Sequence, residues 1–129
     1  MSEKRRFEVR LHPDAVKEYK KLDGSVLSIV NKAIDELEFR ADEVGKRLRN
    51  NKNTKLAGCK EKKLRNAGIR IIFKITNEKV DVLRIVYVLT IEKRSDDLVF
   101  KIAHNRNTQL KNLAKSINVS KPWKKDNTK

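Results

Sequence analysis

The stretch Val80-Asp81-Val82-Leu83-Arg84-Ile85-Val86-Tyr87-Val88-Leu89 is apolar on both of its alternating faces. A segment so rich in β-branched residues, with two apolar faces, belongs in the centre of a sheet. Its predecessor, Ile69-Arg70-Ile71-Ile72-Phe73-Lys74-Ile75, has a similar make-up, and Thr76-Asn77-Glu78-Lys79 between them predicts a hairpin turn. Phe7-Glu8-Val9-Arg10-Leu11 alternates apolar and polar residues, the pattern of a strand with one buried face. Pro13 suits a helix start, and Ala15, Val16, Tyr19 and Leu22 share one helical stripe that Asp23-Gly24 breaks. Val26, Ile29, Val30, Ala33, Ile34 and Leu37 then follow 3.6-residue spacing as a second amphipathic helix. From Ala41 to Thr54 the periodicity fades into a polar loop, and strands resume after Gly58. Ser95 followed by Asp96 and Asp97 has the chemistry of a helix start, and Val99, Ile102, Ala103, Leu110, Leu113 and Ile117 continue the stripe. The expected fold is α+β: an N-terminal strand and two-helix hairpin packed on a small, antiparallel-dominated sheet of about four strands, with a C-terminal helix. A chain of 129 residues supports one core. We assign a single domain to residues 1–119 and a basic, mobile tail to residues 120–129.

Charge is concentrated rather than spread. Residues 46–74 hold eleven Lys or Arg against one acid, Glu61, and residues 101–129 hold eight against Asp126. Such blocks raise the local potential far more than scattered charges, and a polyanion gains from them by counterion release. RNA or DNA is the partner class this implies, with a merely well-solvated surface as the plainer alternative. No apolar run approaches the roughly 18 residues of a membrane span and no signal-like segment opens the chain, so a cytoplasmic protein without membrane contact is expected. Cys59 is the only cysteine, which removes internal disulfides and argues against a thiolate zinc site. Four glycines without a spaced cluster give no phosphate loop. No cofactor is expected.

Several motifs, in this order, resemble the RelE/ParE family of toxins from type II toxin-antitoxin systems over residues 6–106. They are Leu11-His12-Pro13-Asp14-Ala15 leading to Lys20-Lys21-Leu22, Leu56-Ala57-Gly58, Gly68-Ile69-Arg70-Ile71-Ile72-Phe73 with Val80-Asp81-Val82-Leu83 behind it, and Lys93-Arg94 followed by Val99-Phe100 and Ala103 to Arg106. For RelE-like members the resemblance implies a ribosome-dependent mRNA endoribonuclease, an mRNA interferase that cuts codons in the ribosomal A site. It implies metal-free attack of a ribose 2′-OH on the adjacent phosphate. It also implies an antitoxin partner and contact with mRNA and rRNA; homodimerisation is not indicated, and a monomer is expected when free. The alternative within the family is a ParE-like toxin that blocks DNA gyrase without nuclease activity.

The chemistry can be weighed on the residues themselves. A pentavalent phosphorane gathers negative charge, so fixed cations that strengthen their contacts in the transition state accelerate the step. Arg70, held among Ile and Phe, and Arg94, at the hand-over from strand to helix, are the leading catalytic candidates. Lys63 matches the family's strand lysine by its distance from Gly68 and Arg70, and Arg65, two residues on, is expected on the same side. Each has a plainer role available: Arg70 paired with Glu61 or Asp81, Arg94 with a helix acid, Lys63 solvated. Lys60 and Lys62 are further RNA-binding candidates, one residue out of register with Lys63, and a one-residue slip exchanges faces. The chain departs from the family at Phe100, where RelE-like nucleases usually have a proton-transferring tyrosine; a phenyl ring can stack on a base but cannot accept a proton. Glu61 stands where a second strand lysine is usual. His104, one helical turn after Phe100, has a suitable pKa for general acid-base work, or is a surface histidine. His12 reads as a turn residue, Tyr87 as core, and Trp123 as a tail aromatic able to stack on a base.

Overall fold

The computed structural model describes residues 4–50, 55–93 and 96–113. Arg94, Ser95, Trp123 and the 119/120 boundary lie outside them. The elements run β1 (Phe7–Leu11), α1 (Pro13–Lys20), α2 (Gly24–Arg40), β2 (Lys46–Arg47), β3 (Cys59–Leu64), β4 (Ile69–Val80), β5 (Leu83–Lys93) and α3 (Asp96–Leu113). One five-stranded sheet has the order β1-β5-β4-β3-β2; β1 joins β5 in parallel, and the other pairs are antiparallel. The apolar β5 is therefore interior, as its two-sided pattern requires.

Both faces are covered. On one, α1 and α2 pack Ala15, Tyr19, Val30, Ala33, Ile34 and Leu37 against Val9, Ile71, Phe73, Val86 and Val88. On the other, α3 contributes Ala103 and Leu110 to a smaller cluster with Leu56, Cys59, Ile72, Tyr87 and Leu89. Tyr87 is a core residue, 1% exposed.

Two features differ from the sequence reading. The β4–β5 turn is not Thr76–Lys79: β4 continues to Val80, which pairs with Leu83 across a two-residue loop. Asp81 takes φ 56, a left-handed conformation that Asp tolerates, and Val82 is left exposed. The second difference is β2, a two-residue strand inside the stretch read as loop. Gly45 accounts for it: at φ +79, an added Cβ would lie 2.7 Å from the Glu61 carbonyl oxygen, so only glycine lets the chain come this close to β3.

β1 ends at Leu11 opposite Val88, which leaves β5 from Leu89 to Lys93 without a strand on its β1 side. A buried strand edge needs other partners for its backbone. The Glu18 Oε1 of α1 accepts from Ile91 N at 3.0 Å, and the Arg106 Nη1 of α3 donates to Leu89 O at 2.7 Å. Arg106 and Glu18 also bind one another through two hydrogen bonds of 2.9 and 2.8 Å. This pair ties α3 to α1 across the open edge. His12 caps α1, its Nδ1 accepting from Asp14 N at 3.1 Å, with Nε2 3.3 Å from Gln109 Oε1.

Candidate nucleic-acid interface

The β3–β4 register decides which cations share a surface. Lys63 lies opposite Arg70 and Glu61 opposite Ile72, while Lys62 lies opposite Ile71 and Lys60 opposite Phe73. Since Ile71 and Phe73 belong to the α1–α2 core and Ile72 to the α3 core, alternation puts Glu61, Lys63 and Arg70 on the α3 face and Lys60 and Lys62 on the other. The β2–β3 ladder sets Lys46 opposite Glu61 and so adds it to the α3 face.

Arg70 is 8% exposed. Its Nε sits 3.0 Å from Glu61 Oε2, a diagonal cross-strand ion pair. The N–H is not aimed along that line: Arg70 Nε and Nη1 and Glu61 Oε2 have no hydrogen-bond partner. The Phe100 ring of α3 lies over the guanidinium, 4.9 Å from its carbon to the ring centroid, in cation–π contact. A buried guanidinium with unused donors is poised to accept oxygens, because binding them would relieve its unsatisfied N–H groups. Lys63 beside it is exposed. On the far side of Arg70, across β4–β5, stands Glu92; burial, and then the carboxylate of Glu18, raises its carboxyl above the usual glutamate range.

The remaining candidates are elsewhere. Lys60, nearly buried, donates its Nζ to the carbonyls of Ala41 and Asp42, at 3.5 and 3.2 Å. Lys62 pairs with Glu36 of α2 at 3.2 Å. Neither reaches the Arg70 surface. Arg65 is exposed in the 65–68 turn, past the end of β3, so the strand-face argument made for it does not apply. His104 accepts at Nδ1 from Lys55 N at 2.8 Å, and Asn107 Nδ2 donates to Lys55 O at 3.2 Å. Those contacts dock α3 on the segment before β3 and leave His104 only its Nε2. Arg94 lies outside the described residues. His12 is buried, and burial together with nearby Arg106 lowers its pKa despite the Gln109 contact. Cys59 is 1% exposed, and burial pushes its thiol up to about 11, far from a nucleophile at neutral pH. Among the described residues, no three His, Cys, Asp or Glu side chains gather as a metal-ligand set.

Glu61 is the residue that sequence reasoning undervalued. Its pairing with Arg70 was the plainer role open to that arginine, and the fold realises it with Glu61 rather than Asp81. Lys46 was visible only as one cation of the 46–74 block, because a two-residue strand has no periodicity that assigns a face.

No protein-family model and no curated protein matches this chain. Solved structures do. The isolated E. coli RelE toxin aligns with a TM-score of 0.53 at 27% identity, covering 78% of this chain and 98% of that one. The RelBE2 toxin–antitoxin complex of Mycobacterium tuberculosis gives 0.52 at 27%, covering 69% and 99%. A double arginine-to-alanine variant of E. coli RelE in the free state gives 0.58 at 21%, covering 83% and 99%.

Proposed function

Because the chain belongs by fold to the RelE/ParE superfamily of toxins, we propose that it is the toxin of a type II toxin–antitoxin pair and inhibits translation as a ribosome-dependent mRNA endoribonuclease. The observation that carries this reading is the set Lys63, Arg70, Glu61 and Phe100 on one sheet face, with unused guanidinium donors at its centre.

These four groups can perform metal-free transphosphorylation. Phe100 offers a π-face on which a base can stack. Arg70 turns its free donors to the non-bridging oxygens, where charge grows as the 2′-oxygen adds to phosphorus. The 2′-OH must lose its proton, and Glu61, a carboxylate held against the phosphate-binding arginine, is the acceptor within reach; this is the role the missing tyrosine leaves open. The P–O5′ bond breaks as a 2′,3′-cyclic phosphate forms. The departing 5′-oxygen, much more basic than an amine, takes its proton from the Lys63 ammonium.

The resting geometry also bears on the second reading, a ParE-like gyrase blocker. Arg70 is shut beneath Phe100 and neutralised by Glu61, as a face that binds protein without cutting RNA would tolerate. An antitoxin is proposed as partner in either case, since three of the similar structures are named as toxin bound to antitoxin or antitoxin peptide. Primer extension on a reporter mRNA in a translation extract separates the readings. Cuts within A-site codons that require ribosomes, and that vanish with a folded Arg70→Ala variant, support the nuclease. Intact mRNA together with inhibited gyrase supercoiling supports the alternative.

A further inference from the structure

The basic block divides between two surfaces, and the second is unexplained by the chemistry above. At the β2 edge of the sheet, beyond the end of α2, the lining of a cavity of about 500 Å³ includes Asp42, Arg47, Arg49, Asn50, Lys60 and Arg84. Its cations are set against one another. Arg47 lies directly opposite Lys60 in the β2–β3 ladder, an arrangement of like charges that destabilises a sheet. Burial lowers the Lys60 pKa, and the charge of Arg47 lowers it further, with Asp42 opposing them more weakly. The close approach at Gly45 fixes β2 on β3 and holds the two cations together.

The acid within reach is already engaged. Both Asp42 carboxylate oxygens accept from the Arg6 guanidinium. Arg84 donates to Thr76 O at 3.0 Å and Asn77 Oδ1 at 3.3 Å, which uses two of its five N–H groups, and it forms no ion pair among the described residues. Arg47 and Arg49 are exposed and form no ion pair among the described residues. Among the described residues, four cations thus surround one cavity whose single acid, Asp42, is bound to Arg6, so a bound anion would relieve their repulsion.

We propose that this cavity is a phosphate-binding site, on the opposite sheet face from Arg70. Phosphate fits better than a carboxylate because it offers several oxygens to guanidinium forks approaching from different strands. The volume lies within the range of small-ligand pockets. The phosphate can belong to an RNA backbone or to a free nucleotide-sized molecule. The site does not depend on whether the other face cuts RNA.

The test uses the full chain with Arg47→Ala/Arg49→Ala, and a charge-matched control, Lys17→Ala/Lys20→Ala, at exposed positions of α1. Two probes are read: the thermal shift given by pyrophosphate, and the salt dependence of binding to a labelled single-stranded RNA of about 20 nucleotides. In Arg47→Ala/Arg49→Ala the RNA affinity should fall about tenfold, and the slope of log affinity against log salt by about 1.4, as for two lost single-strand contacts. The pyrophosphate shift seen in the parent and the control should disappear. Loss on RNA alone identifies a backbone phosphate and loss on pyrophosphate alone a small ligand; both support the site. Equal behaviour of the two variants on both probes overturns it. So does a deca-glutamate peptide that binds as tightly as RNA and is lost in the same variant, which would make the cavity a seat for an acidic protein.

Discussion

Beneath α1 and α2 the sheet supplies Ile69, Ile71, Phe73, Val86, Val88 and Ile91 to a continuous apolar core, whereas beneath α3 the same strands supply Ile72, Tyr87 and Leu89 together with the ion pair of Glu61 and Arg70. Neighbouring residues of one strand therefore meet opposite demands. The first face gains stability from apolar area removed from water. The second gives up part of that area to hold charges that a hydrophobic pair of similar volume would replace at no cost in stability, or with a gain.

The contrast can be broken first by truncation. Phe73→Ala, at a fully buried position of the larger core, should cost about 3–5 kcal/mol in urea unfolding, and Leu110→Ala, on α3, nearer to 2. A reversed order would mean that α3, not the helix hairpin, anchors the sheet. Next comes the tie between the two faces. Glu18→Gln leaves the partly buried Arg106 without its charge partner and should cost about 2 kcal/mol. The loss should shrink in the Glu18→Gln/Arg106→Met double variant, and simple additivity would deny that the pair acts as a unit.

Gly45→Ala sharpens the comparison at the β2 edge. Strain at φ +79 and the 2.7 Å approach to the Glu61 carbonyl should together cost about 1–3 kcal/mol. Unchanged stability would mean that β2 is not held on β3. The smallest effect is on pH. The folded-state pKa of His12 lies below the unfolded value near 6.5, so the unfolded chain binds more protons just below that pH. His12 thus favours folding fully above pH 6.5 and less as the pH falls from there toward its folded pKa. The melting temperature should drop between pH 7.5 and 5.5, and drop less in His12→Asn, which keeps a side-chain acceptor for the α1 cap. Parallel pH curves for the two proteins would refute this.

Much of the architecture was legible because apolar spacing is a strong signal. The stripe from Val26 to Leu37, the alternation of Phe7–Leu11 and the two-sided β5 each pointed to one element and one environment. Where spacing is uninformative, reading stopped. Lys60-Glu61-Lys62-Lys63 is polar throughout, so nothing local distinguishes its faces; the distinction comes from Ile71, Ile72 and Phe73 across the ladder. The turn was misjudged because Thr76-Asn77-Glu78-Lys79 has turn composition, while Asp81-Val82 lies within a run of strand formers. For Arg70 the residues offered two acids, Glu61 and Asp81, and only the β3–β4 register, which puts Glu61 diagonal to it, selects between them.

Lys62 and Lys63 are adjacent in sequence and opposite in space, which makes them the sharpest test of the division of labour between the faces. Single-turnover cleavage of ribosome-bound mRNA should be compared in the parent, Lys62→Ala and Lys63→Ala, with unfolding curves run alongside. The account predicts a loss on the order of 10²-fold or more for Lys63→Ala with stability within about 0.5 kcal/mol, and cleavage within about twofold of the parent for Lys62→Ala. Equal losses in the two variants, or a loss confined to Lys62→Ala, would contradict it.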